Sequence, residues 1–539
     1  MVSSEHSAHK GNGNGKAAAS KKVTEAFNPA TGDKIGEVPL HSVEDLQRAV
    51  GEARVAQKVW AQTPVRVRCK VMLKVRDYIV EHAEELAETV CRDNGKVRVD
   101  ALATEVVATA LSIDTYCKKA PGWLRDQPLH GGALLFRVYK WSKLVRVPFG
   151  VIGIVSPWNY PFGIPFHEVC KALLAGNAVI LKTASQTLMV GKAIETCLRG
   201  GGVPEGLFHF INLPGAIAGD ALFEAGIDKL FFTGSVPVGK KLMAKAAETL
   251  TPVSLELGGN DAMLVCPDAD LERASSGAVW AGLSNCGQSC GGVERIYVHK
   301  DVYQPFLDLL ATKVRALRVG PDSDFNVDLG AMTTRGQMQT VQEHIDDALG
   351  KGAVIYAQSE APKGGGGQFM PATVLTEVNH TMRTMREETF GPVLAVMKVD
   401  SMDQAVELAN DSDLGLTGSV WSRNQAYAEK LGRRIQAGAI TFNDHLMSHG
   451  LAETPWGGFK NSGIGRTHGQ IGFDEMTEPQ VLIKHYLPLV KKDIWWHPHS
   501  RQTFDAILGL ADMHLSRSVW KRLKGLGWVF KMLPRMLNG

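Results

Sequence analysis

The chain has 539 residues, 44 % of them apolar and 21 % charged, ordinary globular proportions in a length that exceeds a single core, so two or three packed domains are expected. A formal net charge of +3 gives no whole-molecule field to attract nucleic acid, and no window reaches the roughly 18 to 20 uninterrupted apolar residues of a membrane-spanning helix. The eight cysteines show no CxxC pairing, which fits a reduced, cytoplasmic setting. The first 22 residues hold four lysines, a Gly/Asn run from Gly11 to Gly15, no apolar stretch and no arginine. That composition excludes a secretory signal, and residues 1–21 read as a disordered tail.

From Ser42 to Cys117 the pattern is helical, with long amphipathic stretches such as Val65 to Thr89. Leu134 to Val147 then alternates apolar with polar or basic residues (Phe136, Val138, Trp141, Leu144, Val145), an extended ribbon that leads into the β-rich run Val151 to Val155. Between Val151 and Glu256, short apolar strands at Ala178–Leu181, Leu207–Ile211, Leu230–Phe232 and Val253–Leu257 alternate with helical segments. Strands joined by crossover helices imply a parallel sheet that binds nucleotides at its carboxyl ends. A second α/β series follows from Ala262 to about Thr441, with strands expected at Met263–Val265, Arg295–Val298, Val374–Leu375, Val393–Val396 and Ala439–Phe442. Two α/β lobes with a cleft between them are expected, and Val481 to Lys484 adds one more strand.

Residues 515–537 carry six basic side chains and no acidic one. At 100° per residue, Arg517, Lys521, Lys524, Lys531 and Arg535 share one direction, while Leu515, Val519, Leu523, Leu526, Phe530, Leu533 and Leu537 cluster opposite. One amphipathic helix with a cationic stripe is predicted. It can lie in a membrane interface, with Trp495, Trp496, Trp520 and Trp528 suited to that boundary, or pack on the enzyme or a neighbouring subunit. Gly525, Gly527 and Pro534 weaken it as a helix.

Cys290 lies in the polar, glycine-rich segment Asn285-Cys-Gly-Gln-Ser-Cys-Gly-Gly292, which can expose a thiol in a tight turn. It follows Leu255-Glu-Leu-Gly-Gly259 by about thirty residues, and Pro157-Trp-Asn-Tyr-Pro161 stands about a hundred before Glu256. Further segments in the same order are Phe27-Asn-Pro-Ala-Thr-Gly32, Phe232-Thr-Gly-Ser235, Glu388-Thr-Phe-Gly-Pro392, Pro455-Trp-Gly-Gly-Phe-Lys460 and Ser462-Gly-Ile-Gly465. Together these resemble the aldehyde dehydrogenase superfamily over about Phe27 to Tyr486.

The resemblance implies Cys290 as nucleophile, Glu256 as general base and Asn159 as oxyanion donor. A thiolate adding to an aldehyde carbon creates an oxyanion that needs a fixed donor, and a neutral amide supplies one. Glu256 favours hydrolysis of the thioester over transfer to coenzyme A. Cys286 reads as a bystander thiol rather than a resolving partner. NAD or NADP is implied as cofactor, held without a GxGxxG fingerprint by residues matching Ser156, Trp158, Lys182, Gly234 and Ser235, with Glu388 at the nicotinamide ribose and Phe390 beside it. Where the family often places a glutamate three residues after Lys182, this chain has Ser185, which removes a repulsion against a 2′-phosphate and opens the way to NADP. No metal site is expected. His445 and His449, in the loop Asp444 to Thr454 that borders the substrate funnel, are read as satisfied or solvent-facing.

The implied fold is aldehyde-dehydrogenase-like: two doubly wound α/β domains plus a small β oligomerisation ribbon. The dinucleotide domain would comprise residues 22–133 and 148–257, the catalytic domain 258–461, the ribbon 134–147 and 473–488, and the basic extension 489–539. A homodimer or homotetramer follows from that resemblance. The expected substrate is a small-molecule aldehyde, lipophilic if the tail docks on lipid, with semialdehydes and aminoaldehydes as alternatives. A non-catalytic membrane-associated scaffold is the rival class.

Overall fold

The computed structural model describes residues 22–129, 139–362 and 367–538. The expected tail 1–21 and residues 134–138 of the expected ribbon lie outside them. The helical first stretch forms separate helices, Val43–Gln62, Val65–Glu81, Ala83–Asn94 and the run from Arg98 to Trp123, so the Val65–Thr89 stretch is broken at His82. Ser42 and Asp45 close a reciprocal capping box at the first of them, and Leu46, Val50, Ala53 and Trp60 bury one face. The run from Arg98 is not uniform, because Ala101–Val107 is a π-helical turn, the kind of irregularity that clusters at functional sites.

The first lobe is built on a six-stranded sheet in the order Gly463–Ile464, Val253–Glu256, Lys229–Thr233, Val151–Val155, Ala178–Lys182, Phe208–Phe210. All neighbours pair in parallel except Gly463–Ile464, which returns from the second lobe to pair antiparallel with Glu256 and Leu255. Ala178–Lys182 is buried throughout, as a parallel strand covered on both faces must be. The second lobe carries seven strands in the order Val354–Gln358, Thr373–Thr376, Val393–Val399, Val293–His299, Asp261–Val265, Thr417–Trp421, Ala439–Phe442, with only the first antiparallel. Each lobe has its own apolar core.

A third, antiparallel sheet pairs Thr477–His485 with Lys140–Pro148, and the latter with Gln127–Leu129. Beyond Thr477 its edge strand is exposed on both faces. The tail corrects the single-helix expectation. It is a helical hairpin, Arg501–Leu515 and Val519–Asn538, broken over Ser516–Ser518, so Leu515 belongs to the first arm. The arms cross where a Cβ on Gly525 would stand 2.2 Å from the Gly509 carbonyl oxygen, so Gly525 serves the packing that it was expected to weaken. Gly525, Val529, Met532 and Met536 form the buried face. The predicted apolar stripe does not: Val519, Leu523 and Phe530 are 68, 57 and 59 % exposed. No helix among the described residues is long and apolar enough to cross a membrane.

Candidate active site

The thiol loop leaves the helix Leu271–Leu283 through three consecutive left-handed residues, Asn285 (φ 52°), Cys286 (φ 55°) and Gly287 (φ 69°). For the two that carry a side chain this conformation costs on the order of 1–2 kcal/mol each, so it needs external support. Asn285 receives it: its N–H donates to Asp100 Oδ2 (3.0 Å), its amide donates to the Asn159 carbonyl (2.8 Å), and its carbonyl accepts from Gln288 Nε2 (2.9 Å). The Thr333 N–H donates in turn to Gln288 Oε1 at 2.9 Å. Cys286 points the other way, its buried thiol donating to the Gly330 carbonyl. It is a packing residue.

Cys290 follows this turn, and on its far side lies a cavity of about 310 Å³ that it lines together with Glu256, Tyr160, Trp280, Met447 and Trp456. Burial, followed by the nearby carboxylates of Glu388, Asp261 and Glu256, raises the Cys290 thiol above its ordinary range, and the Gly291 N–H opposes the rise. The same desolvation, with Glu168 nearby, holds the Glu256 carboxyl well above the usual carboxylate range. One Glu256 oxygen, Oε2, has no partner in the protein. Asn159 is buried beside them; one amide hydrogen goes to the Gln288 carbonyl at 3.1 Å and the second remains.

A second cleft, of about 250 Å³, meets this cavity at Cys290, Thr233 and Leu257. Trp158, Asn159, Gly234, Ser235, Glu388 and Phe390 line it beside Cys290, so seven of the expected residues converge there. Ser156, Lys182 and Ser185 sit just outside its lining at the adjoining strand ends, where the Ser156 N–H donates to the Lys182 carbonyl. The Ser156 hydroxyl is buried without a partner. Ser235 occupies the N-cap of the helix Val236–Ala246 yet makes no capping bond, leaving its hydroxyl and the first N–H groups for an anion. Glu388 accepts from the Gly259 N–H at 3.0 Å. A Cβ on Gly258 would stand 2.3 Å from that carboxylate and one on Gly259 would stand 2.1 Å from the Cys290 carbonyl oxygen, so both lobes close only against bare backbone. The Trp158 and Phe390 rings meet edge to face at 5.4 Å. These features fit a dinucleotide: strand ends, a helix N-terminus, unspent hydroxyls and a carboxylate in the cleft wall.

The profile of the Aldehyde dehydrogenase family matches residues 16–482. The chain belongs to the aldehyde dehydrogenase family. It is therefore an NAD(P)-dependent oxidoreductase acting on aldehydes. It is 36 % identical to 4,4'-diapolycopene aldehyde oxidase of Methylomonas sp over 90 % of each chain. It is also 36 % identical to a Mycobacterium ulcerans protein named "Putative succinate-semialdehyde dehydrogenase (NADP(+)) 2", over 86 % of this chain and 89 % of that one. Among solved structures, aldehyde dehydrogenase from Brucella melitensis biovar abortus superposes with a TM-score of 0.82 at 30 % identity, covering 87 % of this chain and 95 % of that one. The NAD+ complex of aldehyde dehydrogenase from Bacillus cereus gives 0.81 at 32 % identity, covering 86 and 93 %.

This aldehyde dehydrogenase also uses residues that its sequence does not announce. Glu105, carried on the π-helical turn, accepts from the N–H groups of Phe162 and Gly163 and from Lys96 Nζ (2.6 Å), fixing the segment after Asn159. Glu294 does the same for the N–H groups of Thr389 and Phe390, and burial pushes its carboxyl up to about 8. His445 is buried, bonded to Thr417 and to the Gly291 carbonyl, whereas His449 lines the Cys290 cavity with His167 and His468. Among the described residues no group of three side chains is arranged to hold a metal ion.

Proposed function

We propose that this aldehyde dehydrogenase oxidises a neutral, lipophilic aldehyde of medium or long chain to the carboxylic acid through a thioester on Cys290. The observation that carries this reading is the lining of the Cys290 cavity, largely apolar and, among the described residues, without a lysine or arginine. Its histidines add no charge, because burial lowers His449 to about 4 and His167 and His468 well below their ordinary value. A second carboxylate, as on a semialdehyde, would be desolvated there without a partner. An ammonium group would meet Glu256 and Asp100, whose charged forms burial disfavours, and Glu168, already engaged by Lys171 at 3.1 Å. The relative named for 4,4'-diapolycopene aldehyde oxidation is consistent with a lipophilic substrate, and the one named for succinate semialdehyde defines the alternative.

In this reading the Cys290 thiolate adds to the aldehyde carbon, and the spare Asn159 N–H stabilises the oxyanion. The oxidised nicotinamide supplies the hydride acceptor when bound. Glu256 then takes a proton from water as that water attacks the thioester carbon, and the acid leaves as the Cys290 sulfur is released. Ser185, exposed three residues after Lys182, supports acceptance of NADP as well as NAD. Steady-state rates with both cofactors, over a panel from acetaldehyde to hexadecanal with succinic semialdehyde and an aminoaldehyde, test the reading. Catalytic efficiency rising with chain length supports it, and preference for either charged aldehyde contradicts it.

The exposed apolar stripe on the second arm of the tail hairpin, with the exposed Lys521, Lys524 and Lys531 on the other side of the same helix, supports peripheral contact with a membrane surface that presents such aldehydes. The bare edge strand Thr477–His485, with Val481 and Ile483 exposed, supports pairing with a second copy into a dimer or tetramer.

A further inference from the structure

The Cys290 cavity does not end at Trp280. On the other side of that ring lies a groove of about 630 Å³, and Val99, Asp100, Trp280 and Ser284 line both spaces. One wall is the outer face of the helix Leu271–Leu283, where Ser276, Val279, Trp280 and Leu283 recur at helical spacing; Leu317, Phe325 and Val327 form the other. At the junction Val99 and Trp280 are exposed, so the two spaces meet across open apolar surface.

The far wall is held in place rather than left to collapse. Phe325 is an exposed aromatic in the left-handed region (φ 62°), a conformation that a bulky side chain rarely adopts. Its N–H donates to Asp322 Oδ1, and Arg98, paired with Asp322 at 3.0 Å, lays its guanidinium 3.8 Å from the ring centre. The two cations at the groove, Lys313 and Arg318, are each paired, with Glu272 and Asp328. With Lys313, Arg318 and Asp328 paired and burial disfavouring the charged form of Asp100, the groove offers a largely apolar surface, the lining of a site for an uncharged chain.

We propose that this groove binds the distal part of an elongated aldehyde whose carbonyl sits at Cys290, with Trp280 as the sill over which the chain passes. The proposal rests on the lipophilic-substrate reading and adds to it a second binding compartment. Short aldehydes occupy the inner cavity alone; each further methylene that reaches apolar surface raises kcat/KM about threefold to fourfold.

The test is kcat/KM for saturated aldehydes from butanal to hexadecanal in the full-length enzyme, in Ala316→Trp, which fills the groove from an exposed helix end, and in Val327→Asp, which puts a charge in its wall. The readout is the ratio of hexadecanal to hexanal, so that a loss of active protein cancels. We expect that ratio to fall at least tenfold in both variants. A wild-type profile that rises with length while both variants keep the wild-type ratio overturns the groove and spares the lipophilic reading. A wild-type profile that is flat or falls with length overturns both.

Discussion

Removing the Asn159 side chain separates its proposed catalytic part from its structural one. The main-chain oxygen of Asn159 accepts from Lys96 Nζ at 2.9 Å and Asn285 Nδ2 at 2.8 Å, contacts that Asn159→Ala leaves intact. The Gln288 carbonyl loses one donor but keeps Asn285 Nδ2 at 3.3 Å, and Asn159 Oδ1 has no partner to lose. The folding cost is thus that of one hydrogen bond, about 1 kcal/mol. Loss of a donor to the developing oxyanion costs about 2.7–4 kcal/mol, or roughly 100- to 900-fold in rate at about 1.36 kcal/mol per tenfold. Initial rates of NAD(P)H formation beside a denaturant titration separate the two effects. We expect kcat to fall within that range while KM for a short aldehyde stays close to wild type, since the donor acts on the oxyanion and not the ground-state carbonyl. A folded variant with less than a tenfold fall in kcat would refute the assignment.

Burial raises the Glu256 carboxyl above the usual carboxylate range, and below its pKa the basic form grows about tenfold per pH unit. When hydrolysis limits turnover, log kcat should climb with a slope near one as pH rises past the ordinary carboxylate range, and Glu256→Gln should abolish that limb. Asp261 and Glu294, pushed to about 7 and about 8, bind protons in the folded state that the unfolded chain releases near pH 4. Their contribution to stability is full below that pH and is lost as pH rises through 7 to 8, which denaturant titrations across the range will record. Ser185→Glu should weaken NADP at least tenfold relative to NAD in equilibrium binding, and an unchanged ratio would show that the residue does not discriminate. Replacing Leu523 and Phe530 with glutamate should abolish co-sedimentation with anionic vesicles and leave turnover of a water-soluble aldehyde unaltered; retained sedimentation would dismiss the membrane-facing stripe.

The strands of both lobes were legible where they are buried on both faces, because Ala178–Lys182 or Val393–Val399 then runs as continuous apolar sequence. Thr417–Trp421 was not, since Thr417 bonds to Asp261, Gly418 leaves room beside Ile440 and Ser419 accepts from Trp421 Nε1. The antiparallel edge Val354–Gln358 and the hairpin of Val23–Phe27 with Lys34–Pro39 are half exposed and carried no clean alternation. In the tail, helical periodicity located the second arm but left its apolar stripe open between a membrane interface and packing, whereas the small residues Gly509 and Gly525 decide which face is covered. Cys290, Glu256 and Asn159, far apart in sequence, could be grouped only through the motifs around them. Asp100, Glu105 and Glu294 fix those motifs through backbone N–H groups, and such contacts leave no local pattern to read.

The central claim is a covalent acyl group on Cys290, and mass spectrometry of the acid-quenched enzyme tests it most directly. In Glu256→Gln, turned over with decanal and NAD(P), the decanoyl mass should appear on the peptide that contains Cys290, and Cys290→Ala should show neither the adduct nor NAD(P)H formation. Turnover retained in Cys290→Ala, or an acyl group found on another residue, would contradict the account.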